Sequence, residues 1–166
     1  MPRPSAKEFP LMSTETQRRF LERIEHAFQE GDAEVRHKST ETAHVKLIQE
    51  MYCDLIQGNF EGAFQVLDDD VELEITGPPA LPFRGRWQGR GLVIKTILDN
   101  FSSIEEQQPE IHHVVAQGDT VIVIAREQGR LKATGSPYDI HWVQLFTFRD
   151  GKTVRIREIV DGYSLT

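Results

Sequence analysis

Cysteine is nearly absent from this chain. Cys53 is its one thiol, so no disulfide can close within it, and a reducing, cytoplasmic setting is the expectation. Long apolar runs are missing too. None approaches the roughly 18 residues that a membrane span needs. The opening stretch MPRPSAKEFPLMSTETQ has no apolar run and no small-residue cleavage pattern, so it does not read as a secretory signal. Positive charge is in deficit: 19 Lys and Arg stand against 26 Asp and Glu, a net charge of −7. That balance argues against a nucleic-acid footprint, which would need a basic face. No G-x-S-x-G nucleophile elbow occurs, and Cys53 lies in a helical pattern without a positioned base. No His, Cys and Asp set has metal-ligand spacing, and GRWQGRG lacks the glycine order of a phosphate loop. Neither metal nor cofactor is expected, and neither nucleic acid nor membrane is an expected partner.

What is present suffices for a single folded core. The 166 residues are 39% hydrophobic and 27% charged, which suits one domain and not a disordered chain. Residues 1–12 carry three prolines and no periodicity, and read as a loose tail. TETQ, Thr14–Gln17, has a capping-box pattern. Phe20, Leu21, Ile24, Ala27 and Phe28 then recur at helical spacing until Gly31-Asp32. DAEVRHKST reads as a linker. A second helix begins near Thr40, with Val45, Ile48, Tyr52 and Leu55 on one stripe and Gly58 as its stop. A short helix over 59–67 comes next.

From Asp70 the period becomes two. Val71, Leu73 and Ile75 alternate with Glu72, Glu74 and Thr76, giving an inner apolar and an outer solvated face. GPPALP breaks this strand. FRGRWQGRG is a loop or short strand in which Trp87 covers the core or a pocket rim. A third core helix holds Leu92, Ile94, Ile97, Leu98 and Phe101. Four extended segments complete the chain, at about 109–117, 119–131, 137–149 and 152–161, with hairpin signals at QGD and RDG. Helices gathered on one face of a bent antiparallel sheet make an α+β fold.

The last strand, VRIREIV, raises the functional question. Val154, Ile156, Glu158 and Val160 share one face by parity, and Arg155, Arg157 and Ile159 share the other. A carboxylate on an apolar face must be paired, protonated or wet. In the strand TVIVIAREQ, parity groups Arg126 and Gln128 with Ile122 and Ile124. An Arg126–Glu158 pair across a pocket is therefore the expected arrangement, and it is either functional or a structural clasp between strands. A Glu158 only loosely paired in an apolar pocket should have a raised pKa.

The segments GNFEGAFQVLDDDVELEITGP, GRWQGRGLVIKTI and YDIHWVQLFTFRDGKTVRIREIVD, in this order, resemble the SnoaL-like and ketosteroid-isomerase-like proteins of the nuclear transport factor 2-like superfamily. The resemblance covers roughly residues 41–161. It implies a curved sheet wrapped by about three helices into a cone around an internal pocket, a cystatin-like α+β barrel. It also implies frequent dimers through the outer sheet face. It divides the chain into a tail and extra helix, 1–39, and a SnoaL-like domain, 40–166. Members include isomerases, cyclases, dehydratases, epoxide hydrolases and non-enzymes, so the fold sets no reaction. The general-base aspartate of the ketosteroid isomerases falls on Ile75, after Glu74, and their oxyanion tyrosine on Met51, beside Tyr52. Steroid isomerisation is thereby disfavoured. The Arg-x-Asp of limonene epoxide hydrolases falls on Arg126 and Gln128, and their second acid on Glu158. Gln128 supplies only a weak hydrogen-bond donor where that acid would stand.

The candidate catalytic residues are therefore Glu158 and Arg126. Gln128, Trp142, Tyr52, Tyr138, Trp87 and His113 are candidate substrate contacts. Family register turns Ile140, Trp142, Gln144, Phe146 and Phe148 inward and His141, Val143, Leu145 and Thr147 outward, the latter towards a dimer partner. Each candidate also has a plain reading: Trp142 and Tyr52 as core, Gln128 as a wet strand end. His112 and His113 are adjacent and should face opposite ways, so one of them could reach the pocket. Two functional readings compete. One is an acid–base enzyme on a small apolar molecule, without a cofactor. The other is a non-catalytic ligand-binding or dimeric module with a structural Arg–Glu pair.

Overall fold

The computed structural model describes residues 13–34 and 39–165. The expected tail, 1–12, and positions 35–38 of the expected linker lie outside the described residues. Helix α1 spans Thr14–Glu34, beyond the stop anticipated at Gly31. Ser13, one place before the predicted capping box, caps it by accepting the Thr16 N–H at 3.2 Å. Helix α2 is Ser39–Gln57 and ends as predicted. Gly58 turns to φ 77°, and Asn59 N–H closes on the Asp54 carbonyl at 2.8 Å, a Schellman stop. The short helix is α3, Phe60–Ala63, continued by a 3-10 turn to Val66.

Strand β1, Leu67–Thr76, precedes the short β2, Gly85–Gln88, and helix α4, Arg90–Ser102. The remaining strands are β3, Ile104–Gln117; β4, Thr120–Leu131; β5, Pro137–Arg149; and β6, Lys152–Leu165. The six form one curved sheet in the order β2-β1-β6-β5-β4-β3. The β3–β6 run is the predicted meander. One pairing departs from the antiparallel expectation: β1 runs parallel to β6. The chain crosses over through β2, α4 and β3–β5 between them, which is the long connection that a parallel pair needs. Asp150 and Gly151, both at positive φ, make the two-residue β5–β6 turn.

The predicted inner row on β1 is buried, with Val71, Leu73 and Ile75 at 5% exposure or less. The outer row is an ion-pair ladder more than a solvated face. Glu74 binds Arg86 of β2 at 2.8 Å, Arg155 at 3.0 Å and Arg157 at 3.2 Å. Glu72 adds Arg155 at 3.4 Å. The two arginines of VRIREIV thus sit outward because the adjacent parallel strand presents glutamates to them.

Register shifts bend the sheet at several points, among them Ile111/His113 on β3 and Thr147/Phe148 between β5 and β6. The second lets Thr153 take an inward place, leaving Val154 half-buried and not in line with Ile156 and Val160. No helix among the described residues is long and apolar enough to cross a membrane.

Candidate functional site

The concave sheet face and the helices enclose a cavity of about 160 Å³. Its wall is mostly aliphatic and aromatic. Two carboxylates, Glu158 and Glu127, reach it, while no Lys, Arg or His among the described residues belongs to it.

Glu158 is placed as its parity predicts. It stands on β6 directly opposite Gln144 of β5 and beside Ile75 of β1. Gln144 Nε2 donates to Glu158 Oε2 at 2.6 Å. Gln144 Oε1 in turn accepts the Tyr52 hydroxyl at 2.5 Å. Tyr52 is steadied edge-on by Phe28 of α1 and Phe146 of β5, at centroid distances of 6.3 and 6.2 Å. Helix, β5 and β6 therefore meet in one chain of hydrogen bonds, Tyr52 to Gln144 to Glu158. Glu158 Oε1 receives no hydrogen bond among the described residues.

The environment raises the Glu158 carboxyl to about 7, because burial penalises its charged form. The Gln144 bond opposes that shift and the charge of Glu127 adds to it. Burial, and then the Glu158 charge, push the Tyr52 phenol well above its ordinary value, so it remains a donor. Its hydroxyl fixes which end of the Gln144 amide faces the carboxylate.

Glu127 forms a second polar cluster. It is 7% exposed. Tyr138 donates its hydroxyl to Oε1 at 2.6 Å, and Trp142 donates Nε1–H to Oε2 at 3.3 Å. Gln107 contributes a further side-chain bond. Burial still holds the carboxyl above its ordinary range, against all three bonds.

Several expectations for the site are corrected. The Arg126–Glu158 pair does not form. Arg126 lies on the outer face, where Nε donates to Asp139 Oδ1 at 2.8 Å and Nη2 binds Asp139 Oδ2. Gln128 joins the same carboxylate at 2.9 Å. The guanidinium holds Asp139 down at about 2. The inner row of β4 is Val121, Val123, Ala125 and Glu127, one step off the predicted row. Both rows of this strand carry aliphatic residues, so alternation alone could not choose between them. The pairing with β5 could have done so, since Ala125 faces Trp142 and Val123 faces Gln144 on one side of the sheet. Glu127 was missed for that reason, and Gln144, though placed inward, was given no role beside Glu158. His113 does not reach the cavity either. The bulge at His112 leaves both imidazoles exposed, with His113 opposite the outward Ile124. Trp87 packs against the core but is no part of the cavity wall. Its ring lies over Gly85, where an added Cβ would stand 2.6 Å from it. Tyr52, Tyr138 and Trp142 do line the cavity, and the inward set predicted for β5 is the observed one. Among the described residues no group of His, Cys, Asp and Glu is arranged to hold a metal ion.

A curved mixed sheet closed by helices over an acid-bearing apolar cavity defines a nuclear transport factor 2-like protein. Residues 48–156 match the family model of the SnoaL-like domain, and the chain belongs to that family. No curated protein matches it. Among solved structures, an NTF2-like protein from Burkholderia xenovorans is 25% identical, with a TM-score of 0.63 over 73% of this chain and 91% of its own. TerC co-crystallised with polyporic acid is 20% identical, with a TM-score of 0.60 over 72% and 92%. A protein of ketosteroid isomerase-like fold from Catenulispora acidiphila, in complex with trimethylamine, is 14% identical, with a TM-score of 0.56 over 68% and 83%. The last two similarities concern the fold alone.

Proposed function

We propose that the protein is an acid–base enzyme that encloses a small, largely apolar and non-anionic organic molecule, with Glu158 as the group that moves the proton. One observation carries this reading. A carboxyl on the wall of an apolar cavity is poised at about 7, with one oxygen held by Gln144 and the other without a hydrogen bond among the described residues. Such a group can take and return a proton near neutral pH, where general acid–base catalysis is most efficient. Glu158 Oε1 would accept a proton from a C–H beside a carbonyl, or from a water. Gln144 would steady the carboxylate before transfer, and Tyr52 would keep the amide turned towards it. Glu127, buried with Tyr138 and Trp142, would be the second acid of the cavity. Isomerisation, cyclisation, dehydration and hydrolysis share this proton transfer.

The size and charge of the cavity narrow the ligand. A cavity of about 160 Å³ is close to the roughly 150 Å³ known to accommodate benzene, which points to a molecule near one ring in size. Two carboxylates without a cation among the described wall residues disfavour carboxylates and phosphates. The trimethylamine complex of one structural relative supports a small organic ligand in this fold.

A homodimer through the outer sheet face belongs to the same proposal. Val115 and Ile159 are 50% and 43% exposed there, next to Ile122, Ile124, Val143 and Leu145. A cytoplasmic location is the reading of the lone half-buried thiol, Cys53.

Hydrogen–deuterium exchange of small cyclic ketones in D2O, followed by proton NMR, tests the catalytic reading. Exchange beside the carbonyl should exceed the buffer rate in the parent and fall at least a hundredfold in Glu158→Gln. Equal rates in the two proteins, for ketones shown to bind, would overturn it and leave a binding module. The structural Arg–Glu pair on which that module reading rested is not formed.

A further inference from the structure

Helix α1 precedes the region shared with the SnoaL-like family, which begins at residue 48. It is nevertheless docked firmly. Phe20, Ile24, Ala27 and Phe28, at helical spacing, are all 9% exposed or less. This stripe packs on β3 and α2. Two of its residues reach the site itself. Phe20 forms part of the cavity wall. Phe28 lies edge-on to Tyr52, whose hydroxyl holds the Gln144 amide against Glu158. Ile24, one turn from each and fully buried, is not part of the cavity wall.

We infer that α1 is a working part of the site: Phe20 determines the largest ligand that the cavity admits, and Phe28 is a positioning residue for the Tyr52–Gln144–Glu158 chain. This rests on the reading of the cavity as a ligand site. The physical reason is that packed interiors do not flow. An aromatic ring removed from a cavity wall leaves its volume largely open, because neighbours collapse only in part. The space freed at Phe20 is continuous with the cavity, whereas space freed at Ile24 is not. Phe28 acts differently. A smaller side chain there loosens Tyr52 and lets the Gln144 amide turn. That weakens the donor that favours the charged form of Glu158.

The test uses the full chain and a graded set of neutral probes: benzene, toluene, butylbenzene and naphthalene. Binding is read by calorimetry and by amide shift changes in NMR. The parent should bind the one-ring probes and discriminate against naphthalene. Phe20→Ala should bind naphthalene at least tenfold more tightly than the parent does, and Phe20→Leu should lie between them and serve in its place should the alanine variant fail to fold. Ile24→Val, which loosens the same helix away from the cavity, should keep the parental size preference. Phe28→Leu should keep that preference too but raise the midpoint of the Glu158 titration. An unchanged preference in a folded Phe20 variant would overturn the inference while leaving the ligand site intact. So would a relaxed preference in Ile24→Val, which would mean general loosening. An unmoved midpoint in Phe28→Leu would remove the positioning role. A parent that binds none of the probes would bring down the ligand reading together with this inference.

Discussion

Replacing Glu158 by glutamine should stabilise the protein, increasingly so as the pH rises from about 4.5 to just above 7. In the folded chain the carboxyl titrates at about 7, against an ordinary 4.5. Below about pH 4.5 it is protonated in both states and contributes no difference. Between 4.5 and 7 the folded state keeps a proton that the unfolded state has released, so stability falls as pH rises. At about 1.4 kcal/mol for each pH unit, the loss is complete somewhat above pH 7 and amounts to about 3 kcal/mol. Part of the group faces the cavity, where water would reduce the penalty, so this is an upper figure. Glutamine carries no charge to bury, and its carbonyl can still accept the Gln144 bond now made at 2.6 Å. Glu127 is present in both proteins and largely cancels in the comparison. Thermal unfolding followed by circular dichroism from pH 3.5 to 8.5 is the assay. The variant should match the parent at about pH 3.5 and unfold up to about 6–12 °C higher at pH 8.5, at roughly 2–4 °C per kcal/mol for a chain of this size. A difference that does not change with pH, or a variant less stable than the parent at pH 8.5, would refute the argument. The second result would mean that Glu158 is clasped by a partner whose loss costs more than its charge.

Other consequences stem from the same geometry. Glu127→Gln should lower the Glu158 midpoint, since the Glu127 charge raises it; carbon-detected NMR titration reads this, and a higher midpoint would contradict it. Tyr52→Phe deprives Gln144 Oε1 of its donor and should cost about 1–2 kcal/mol, measured by denaturant unfolding, with slower ketone exchange. Arg126→Ala should leave both the exchange rate and the Glu158 midpoint unmoved, because its partner is Asp139 on the outer face; an effect on either would restore Arg126 to the site. Ile159→Asp, on the exposed outer face, should turn a dimer into monomer in sedimentation while the Glu158 titration persists. A parent that is already monomeric would dispose of the proposed interface.

The residues legible in advance were those on strands with one polar and one apolar face. On β6, Ile156 and Val160 placed Glu158 inward by parity. On β5, whose outer row includes Val143 and Leu145, it was the family register that turned Ile140, Trp142, Gln144, Phe146 and Phe148 inward, and all five line the cavity or the core. Alternation fails where the contrast fails. On β4, Val121 and Val123 offer one aliphatic row and Ile122 and Ile124 another, so a one-step error exchanged Glu127 for Arg126. The loss of His113 has a different cause. An inserted residue in β3 switches the face of every residue C-terminal to it on that strand, and nothing in IHHVV marks the bulge.

The amino-acid sequence alone determined the order of helices and strands, the turns at Gly58 and Asp150-Gly151, and the isolated carboxylate on the last strand. These depend on near neighbours: periodicity, backbone freedom at glycine, and side-chain parity. The tertiary structure alone decided the partners. It set β1 parallel to β6, so that Glu72 and Glu74 meet Arg155 and Arg157. It also brought Tyr52 to Gln144 and Glu158 across 92 and then 14 residues of chain, and laid Phe20 of α1 into the cavity wall. Contacts between residues so far apart depend on register, curvature and crossover. Those are settled by the packing of the whole chain, and no local pattern encodes them.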